Sequence, residues 1–306
     1  MSRRVAQRQP ILVNSAARPG LLATLVEIWR YRGLMLELSK RSIVLRYKNS
    51  LLGVAWSLAT PLVLIFVITV LTRFIMNQAI PDYSAYLFPV MFAWAFYTSA
   101  IPDMCGSLLE NTSLIRRVYF PRELLVISAL LANLFHLLVS MGITLVYLAW
   151  LGIFPKQVNL GVLLLLLIIP AQCLVCLGLG LIVAALNVLF EDVRFMVTVG
   201  MQIMWYLVPV LYPIERVAAA AQRVWGRPWL DAWIRPHLLD LYLLNPFASV
   251  LVLYQKALLP PIRNAGHDAL PWSWGLLGET WLVALLTLWF GLWFFDRLKW
   301  TAVERI

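Results

Sequence analysis

Six long runs of the sequence contain no Asp, Glu, Lys or Arg, and these runs restrict the chain to a membrane-spanning fold. They are residues 49–72, 83–102, 124–155, 157–190, 195–214 and 280–295. A helix needs about 20 apolar residues to cross the hydrocarbon core of a bilayer, and most of the runs are that long. Because a backbone in lipid must satisfy its own hydrogen bonds, such runs favour helices over the short alternating strands of a membrane barrel. We therefore predict an all-α polytopic membrane protein with six transmembrane helices.

Composition and charge agree with this prediction. The chain is 62% hydrophobic and 13% charged, with a mean hydropathy of +0.81, which is outside the range of soluble domains. A net charge of +10 is also compatible with nucleic-acid binding, but the basic residues flank the apolar runs, where they are typical of membrane topology signals. We expect membrane lipids, and no nucleic acid, among the partners.

The distribution of basic residues predicts the orientation. Residues 1–50 hold ten Lys and Arg, and with 110–123, 187–194 and 296–306 the predicted inner side holds 17 of the 25. The short loops 73–85 and 151–159 on the other side hold only Arg73 and Lys156. Since cytoplasmic loops are rich in Lys and Arg, we expect both termini in the cytoplasm, with residues 1–33 as a leader and 301–306 as a tail.

An amphipathic helix is predicted over residues 34–48, before the first span. Glu37, Lys40, Arg41 and Lys48 fall on about one third of a helical wheel, and apolar residues occupy much of the rest. Such a helix is expected to lie in the cytoplasmic interface of the membrane. A basic topology signal with no further role is the alternative.

The inner loop at 110–123 has more internal order than a simple connector needs. Thr112 or Ser113 is a suitable cap for a short helix that runs to Phe120, and Pro121 disfavours helix at the residue before it. The predicted helix exposes Arg116 and Arg117. A second inner loop, Phe190-Glu-Asp-Val-Arg194, groups two acids and a base, for which a solvated turn is an equal alternative.

The segment between the fifth and sixth runs is predicted to form an outer hairpin over 215–278. Leu238–Leu244 and Phe247–Leu259 are apolar but too short to span, and Asn245-Pro246 separates them. A re-entrant or interfacial pair of helices fits this pattern. The segment is also rich in Trp and Tyr, which commonly anchor proteins at the lipid headgroups.

The sequence lacks the residues that several kinds of catalysis and ion coupling require. None of the five lysines follows a glycine, so the chain has no P-loop of the G-x-x-x-x-G-K-[ST] type. Among ionisable groups in the runs, Asp103 and His136 are interpreted as packed or hydrogen-bonded polar residues rather than ion-coupling sites. Cys173 and Cys176 are interpreted as packing residues, as are the small residues Gly178, Gly180, Ala184 and Ala185. No metal site is predicted.

Several motifs together resemble a known family. They are residues 38–61, the run 114–123 that ends Phe-Pro-Arg-Glu, the loop 190–194 followed by Leu207-Val-Pro-Val-Leu-Tyr-Pro213, and Leu244-Asn-Pro246. This ordered set, over roughly residues 25–300, is similar to the permease subunit of ABC-2 type polysaccharide exporters, which include O-antigen, teichoic-acid and capsule exporters. The resemblance is specific as a set, although each motif alone is weak.

The resemblance implies an architecture and a function. Residues 34–300 would form an ABC-2 permease domain in a bacterial cytoplasmic membrane, working as a homodimer with two copies of a separate ATP-binding subunit. This chain would hold no cofactor, and ATP and Mg would bind in the partner. The substrate would be a cell-surface glycan, as in lipopolysaccharide biosynthesis, carried on a polyprenyl pyrophosphate lipid.

The resemblance also assigns roles to the residues already singled out. Glu37, Lys40 and Arg41 would lie on the interface helix that contacts the ATP-binding subunit, and residues 215–278 would contain the gate. Arg46 and Lys48 are candidates for attracting the pyrophosphate. Tyr242, Phe247 and Tyr254 are candidates for guiding or gating the glycan. The coupling helix that contacts the ATP-binding subunit would contain Thr112, Ser113, Leu114, Ile115, Arg116, Arg117, Val118, Tyr119 and Phe120, near the second inner loop with Glu191, Asp192 and Arg194.

Three other functions remain open at this point. The first is an ABC-2 exporter of a small hydrophobic molecule such as a drug, which would share the architecture. The second is a polytopic enzyme that acts on lipid-linked sugars. The third is an ion-coupled carrier. Measurable turnover by the chain alone would favour the enzyme.

Overall fold

The computed structural model describes residues 21–48, 50, 53, 55–75, 83–153, 158–222, 237–259 and 272–305, and the regular secondary structure of this part is helical throughout. A π-helical turn, Leu71–Ile75, continues α3. The α-helices, in chain order, are α1 (Leu21–Arg30), α2 (Arg32–Tyr47), α3 (Ala55–Val70), α4 (Tyr83–Glu110), α5 (Thr112–Ile115), α6 (Glu123–Trp150), α7 (Val158–Leu189), α8 (Val193–Leu207), α9 (Ile214–Gln222), α10 (Leu238–Leu243), α11 (Pro246–Leu258) and α12 (Trp274–Arg305).

Five helical segments of the described chain are long and apolar enough to cross a membrane. They are Leu58–Ile75, Tyr83–Glu110, Glu123–Trp150, Gly161–Leu189 and Trp274–Lys299. The prediction of an all-helical polytopic membrane protein is therefore confirmed. The run at 195–214 differs from the others, because its helix α8 has only 15 residues and ends at Leu207. Val208 is extended there, as expected for a residue before proline, and Pro209 and Pro213 both lack the amide hydrogen that would continue a helix.

Helix α4 is the centre of the bundle. In its most apolar stretch 78% of the residues are buried, compared with 17% for Leu58–Ile75 and 22% for Trp274–Lys299. It packs against α3, α6, α7, α8 and α11, so most sides of α4 face protein. The outer helices α3 and α12 instead present apolar side chains outward, as expected for lipid or for a second protein.

Small residues allow α7 to approach its neighbours closely. A Cβ atom at Gly178 would lie 2.5 Å from the carbonyl carbon of Thr287 on α12, and one at Gly291 would lie 2.3 Å from the carbonyl oxygen of Gly178. A Cβ atom at Gly180 would lie 2.4 Å from the sulfur of Met104 on α4. Ala184 and Ala185 are fully buried on the same helix. The interpretation of these small residues as packing residues is confirmed.

The two cysteines of α7 pack in the same way. Cys176 is fully buried, and Cys173 packs against the hydrophobic core of the bundle. Both thiols are free. They act as small apolar side chains, which confirms the sequence interpretation.

Candidate coupling surface and transport cavity

The loops that the sequence predicts on the inner side lie together at one end of the bundle. Glu110, at the end of α4, is 3.6 Å from Arg194, at the start of α8. Glu123, in the first turn of α6, accepts a hydrogen bond of 3.1 Å from Lys299 of α12. Both loops and the end of α12 therefore form a single surface, which we call the coupling surface.

The helix within the first inner loop is shorter than predicted. The sequence predicts a helix through Phe120, whereas α5 is a single turn from Thr112 to Ile115, followed by turns. Asn111 precedes the helix, and its side chain donates 2.9 Å back to the carbonyl oxygen of Ser107 instead of capping the new turn. The amides of Arg117 and Val118 both bond the carbonyl of Leu114, which closes the helix early.

The loop has an exposed side, which we call its edge, and a side that packs against the core, which we call its base. Arg116, Arg117, Val118 and Tyr119 are exposed, with Tyr119 at 76%. Leu114, Ile115 and Phe120 pack against the core. A cavity of about 240 Å³ lies against residues 115–120 and Arg122. The edge is basic and aromatic, which suits an acidic or aromatic groove on another protein.

The Phe-Pro-Arg-Glu sequence fixes the end of this loop to α12. Glu123 is 3% exposed and is paired with Lys299. Arg122 donates 3.2 Å to the carbonyl oxygen of Lys299. Burial lowers the pKa of Arg122, although an arginine remains protonated at neutral pH. The sequence alone gave no sign that Lys299 is the partner of this motif.

Helix α2 lies across α4 and α6 at the same end. The predicted helix 34–48 is present as Arg32–Tyr47. Glu37, Lys40 and Arg41 are exposed, whereas Leu38 and Ser39 are buried. The structure therefore brings the predicted polar face of α2 to the surface.

Polar side chains connect α2 to the bundle beneath it. Arg46 forms an ion pair with Asp103 of α4 and donates 3.1 Å to the side-chain oxygen of Asn133 on α6. The hydroxyl of Tyr47 lies 3.2 Å from Nε2 of His136. Asp103 and His136 are thus hydrogen-bonded polar residues, as interpreted from the sequence. Arg46 was predicted to attract a pyrophosphate, but its charge is already paired; Lys48 is exposed.

In the second inner loop the three predicted charges do not act as one group. Glu191, Asp192 and Arg194 are all exposed. Asp192 lies at the N-terminus of α8, and Arg194 faces Glu110 across the coupling surface. Arg194 therefore joins this loop to the first one.

A cavity of about 940 Å³ opens between α3, α4 and α8. Aromatic and apolar side chains form most of its wall, and Thr60, Thr98 and Gln202 add hydroxyl and amide groups. Its aromatic members include Trp94, Trp205, Tyr206 and Tyr212, and Arg216 also lines it. Aromatic faces beside hydroxyl and amide groups are suited to contact sugar rings or an amphipathic lipid.

The three aromatic gate candidates lie elsewhere. Tyr254 is fully buried and donates 2.6 Å to the side-chain oxygen of Gln172 on α7. Phe247 is buried edge-to-face against Tyr97, with ring centres 4.8 Å apart. Both rings therefore face protein in the structure, because α11 packs against α4 and α7, and their role in a glycan path stays a prediction.

Tyr242 is nearer to the cavity than the other two candidates. It is half-buried on α10, and its hydroxyl lies 3.1 Å from that of Tyr212, which lines the cavity. Burial raises the pKa of Tyr242 well above its ordinary value, so this hydroxyl stays neutral. It contacts the cavity wall indirectly, through Tyr212.

Comparison with known proteins identifies the family. The profile of the ABC-2 type transporter family matches residues 34–227. The chain belongs to this family. ABC-2 proteins are transporters rather than enzymes, and ABC-2 permeases generally pair with an ATP-binding subunit.

Curated relatives match three quarters or more of this ABC-2 chain. An O-antigen export system permease protein, RfbA, from Klebsiella pneumoniae is 24% identical over 271 residues, which is 89% of this chain and 94% of the relative. A protein of the same name from Myxococcus xanthus is 27% identical over 229 residues, covering 75% of this chain and 81% of the relative.

The cavity of this ABC-2 permease draws on residues that sequence reasoning missed. Trp94, Trp205 and Tyr206 lie within predicted spans, where an aromatic residue is common and has no special meaning. One signal was available: Trp205 and Tyr206 follow Gln202 on α8, the helix that is too short to span in the ordinary way.

Proposed function

We propose that this chain is the permease subunit of an ATP-driven exporter that moves a lipid-linked polysaccharide across the bacterial cytoplasmic membrane. The observation that carries the proposal is the cavity of about 940 Å³ between α3, α4 and α8, with its aromatic, hydroxyl and amide lining. The relatives named O-antigen export system permeases support a glycan as the cargo. The glycan would be carried on polyprenyl pyrophosphate, whose lipid remains in the bilayer.

Helix α8 would complete a set of six spans. Its 15 residues extend about 22 Å, which is less than the hydrocarbon core of about 30 Å. The irregular segment Val208–Pro213 would supply the remainder. Non-helical backbone is tolerated at membrane depth only where protein satisfies its polar groups. Tyr83 donates 2.8 Å to the carbonyl of Leu211, and Gln255 donates 3.0 Å to that of Pro209, which supports this role.

With six spans, both termini and the coupling surface would be cytoplasmic. Helices α10 and α11 would then lie on the outer side as a re-entrant gate hairpin. Asn245 starts α11 by accepting 3.1 Å from the amide of Phe247, and Pro246 occupies its first turn. These features support a fixed turn between the two short helices.

A homodimer would close the cavity. The outward faces of α3 and α8, on either side of it, carry exposed Phe66, Val67, Phe195, Met196 and Ile203. An apolar surface of this kind faces either lipid or a second copy of the chain. Two copies would enclose a pathway that one copy leaves open at its side.

Two copies of an ATP-binding subunit, which would hold ATP and Mg, would dock on the coupling surface. The exposed edge of Arg116, Arg117, Val118 and Tyr119 would enter a groove of that subunit, and Glu37, Lys40 and Arg41 of α2 would contact it beside the groove. The anchored base of the loop supports this role, because a docking element must transmit force to the helices behind it.

Lys48 is the better of the two pyrophosphate candidates. It is exposed at the end of α2, whereas Arg46 is occupied by Asp103. The glycan would slide along Trp94, Trp205, Tyr206 and Tyr212, with Tyr242 behind the last of these.

Export of a small hydrophobic molecule is the second candidate, because much of the cavity wall is apolar, including Leu64, Ile68 and Met91. The two candidates predict different cargo. Depletion of the permease should cause a lipid-linked glycan to accumulate inside the cell if the first is correct. Loss of drug resistance with a normal surface glycan would instead favour the second.

The cavity is tested by Trp205→Ala with Trp289→Ala as the matched control. Trp205 lines the cavity, whereas Trp289 is exposed on the outer face of α12. Surface glycan per assembled transporter should fall by about tenfold for the first, as expected if lost stacking contributes about 1.4 kcal/mol. It should be unchanged for the second. Equal effects would contradict a glycan path at Trp205.

Docking is tested by the double charge inversion Arg116→Glu and Arg117→Glu, with the two lysine substitutions as the charge-preserving control. The inversion should prevent co-purification with the ATP-binding subunit while membrane insertion is retained. The lysine variant should still co-purify. A glutamate variant that binds normally would show that the loop is only a connector.

A further inference from the structure

The polar cluster beneath α2 has a feature that simple attachment does not require: each of its three members comes from a different helix. Arg46 lies on α2, Asp103 on α4 and Asn133 on α6. Asp103 accepts from Arg46 and accepts 2.7 Å from the amide nitrogen of Asn133, and Arg46 donates 3.1 Å to the amide oxygen of Asn133. The three side chains thus form a closed ring of hydrogen bonds.

The ring leaves little freedom for its members to rotate. Both ends of the Asn133 amide are used, since its oxygen accepts from Arg46 and its nitrogen donates to Asp103 and, at 2.9 Å, to the carbonyl of Ala129. One helical turn further along α6, His136 meets Tyr47, the neighbour of Arg46, with ring centres 5.4 Å apart. Two consecutive residues of α2 therefore engage two consecutive turns of α6.

The position of Asp103 connects this ring to the cavity. The preceding residue, Pro102, lines the cavity, as does Thr98 one turn earlier on α4. Pro102 has no amide hydrogen to bond the carbonyl of Thr98, so α4 is weakened at the level of the ring. A pull on the Asp103 carboxylate would therefore move the part of α4 that forms the cavity wall.

The ring is also only partly enclosed. The side chains of Arg46 and Asp103 are 32% and 39% exposed, and they line a polar groove of about 350 Å³ together with Arg41, Ser107 and Glu110. A partly hydrated ion pair exchanges partners at lower cost than a buried one. A pair of this kind can therefore adjust to small changes in geometry while α2 and α4 move together.

We propose that Arg46, Asp103 and Asn133 form the link through which movement of α2 reaches the cavity wall on α4 and the adjoining helix α6. The three are positioning residues for transport. This inference rests on the proposed function, in which an ATP-binding subunit acts on α2.

The test uses the complete complex, with its ATP-binding subunit, reconstituted in proteoliposomes. The variants are Asp103→Asn, Arg46→Asp and the exchange Arg46→Asp with Asp103→Arg. Arg32→Asp, an exposed arginine in the first turn of the same helix, is the matched control. Glycan exported per ATP hydrolysed should fall by about tenfold in both single variants, a loss that corresponds to a charged hydrogen bond of about 1.5 kcal/mol. The exchange should restore at least half, and the control should match the parent.

A second measurement separates this link from the proposed function itself. Spin labels at Val44→Cys on α2 and Ser99→Cys on α4, both exposed and outside the cavity lining, report whether ATP changes the distance between the two helices once the three native cysteines are replaced. In the parent the distance between the labels should be the same with and without ATP, because the two helices move together. In Asp103→Asn it should change when ATP binds. This readout does not depend on which cargo is exported.

The two measurements together distinguish a link between α2 and α4 from a purely structural role of the three residues. Uncoupled hydrolysis in the single variants, rescue by the exchange and ATP-dependent separation of the labels would together support the link. Equal losses of melting temperature, hydrolysis and export, with no rescue, would overturn it in favour of a purely structural role. A parent complex that moves no glycan, with labels that separate on ATP binding only in Asp103→Asn, would refute the proposed cargo and support the link.

Discussion

The two ends of the bundle hold their short elements in different ways. At the coupling surface and beneath α2, the ion pairs that hold the short elements are partly or largely exposed: Arg46 with Asp103 at 32% and 39%, and Arg194 with Glu110 at 59% and 58%. The buried pair at this end, Glu123 with Lys299, joins the two long helices α6 and α12 instead. At the other end Lys256 of α11 pairs with Glu215 of α9, and these side chains are only 12% and 3% exposed. Exposed pairs contribute little stability and rearrange easily, whereas a buried pair is costly to break.

The opposite end also uses hydrogen bonds to backbone carbonyls. The hydroxyl oxygen of Tyr86 lies 2.7 Å from the carbonyl oxygen of Tyr212 and 3.1 Å from that of Pro209, to which its single hydrogen donates, and it accepts 2.8 Å from Gln255. Because these bonds satisfy carbonyls of the irregular segment after α8, moving this segment would leave buried polar groups unpaired. The comparison indicates that the segment around Pro209–Pro213 and α11 is fixed to the bundle, whereas the exposed ion pairs of α2 rearrange more easily.

The largest effect is expected from removing only one of the two charges in the buried pair of Lys256 and Glu215. Lys256→Met should lower the free energy of unfolding by about 3–5 kcal/mol, because it leaves the Glu215 carboxylate buried without its cation. The melting temperature of the purified protein in detergent measures this.

The double variant Lys256→Met with Glu215→Leu is the control for that prediction. It removes both charges and is expected to melt close to the parent, since buried pairs are often replaceable by apolar residues. A single variant that melts like the parent would show that this end is no more rigid than the coupling surface.

A steric change at the same end should have the next largest effect. A Cβ atom at Gly161 on α7 would lie 2.0 Å from the carbonyl oxygen of Ala257 on α11. Gly161→Ala should therefore cost about 1–3 kcal/mol of stability, as overpacking does.

Gly142→Ala on α6 is the matched control, because a Cβ atom there meets nothing within 4 Å. Alanine in a helix interior is favoured over glycine by about 0.5–1 kcal/mol, so this variant should be at least as stable as the parent. If both alanine variants melted alike, α11 would not be packed tightly on α7.

The sequence predicted best those properties that depend on residues within a single helix. The long apolar helices follow from the absence of charge in 83–102 or 157–190, and the packing role of Gly178 follows from its size. These properties depend on local chemistry, so a single sequence contains them.

Properties that depend on distant partners were not predicted. Arg46 was assigned to a pyrophosphate because nothing local reveals Asp103, which is 57 residues away, as its partner. Tyr254 was assigned to a glycan path because an aromatic residue in a short apolar helix fits a surface as well as a core. The packing of α11 against α4 and α7 decides between a surface position and a core position, and this packing depends on the whole bundle.

The buried position of Tyr254 gives a third prediction. Tyr254→Phe removes the hydroxyl that donates to Gln172, so the amide oxygen of that side chain loses a buried partner at a cost of about 1–3 kcal/mol. The melting temperature should fall while glycan exported per assembled complex stays the same. Reduced export from a complex of normal stability would return Tyr254 to the transport path and weaken the case for a rigid outer end.

The smallest effect is expected at the coupling surface, from Arg194→Gln. The Arg194 and Glu110 side chains are 3.6 Å apart and mostly exposed, so their contact should contribute about 0.2–1 kcal/mol at low salt. High salt should remove even this contribution, because the screening length falls to about 3 Å at 1 M, which is shorter than the 3.6 Å between the two side chains. The measurement is the melting temperature of parent and variant at low and high salt, where the difference between them should be small and then vanish. A large difference that persists in salt would mean that the loops at 110–123 and 190–194 are locked together, and the contrast between the coupling surface and the more rigid opposite end would not hold.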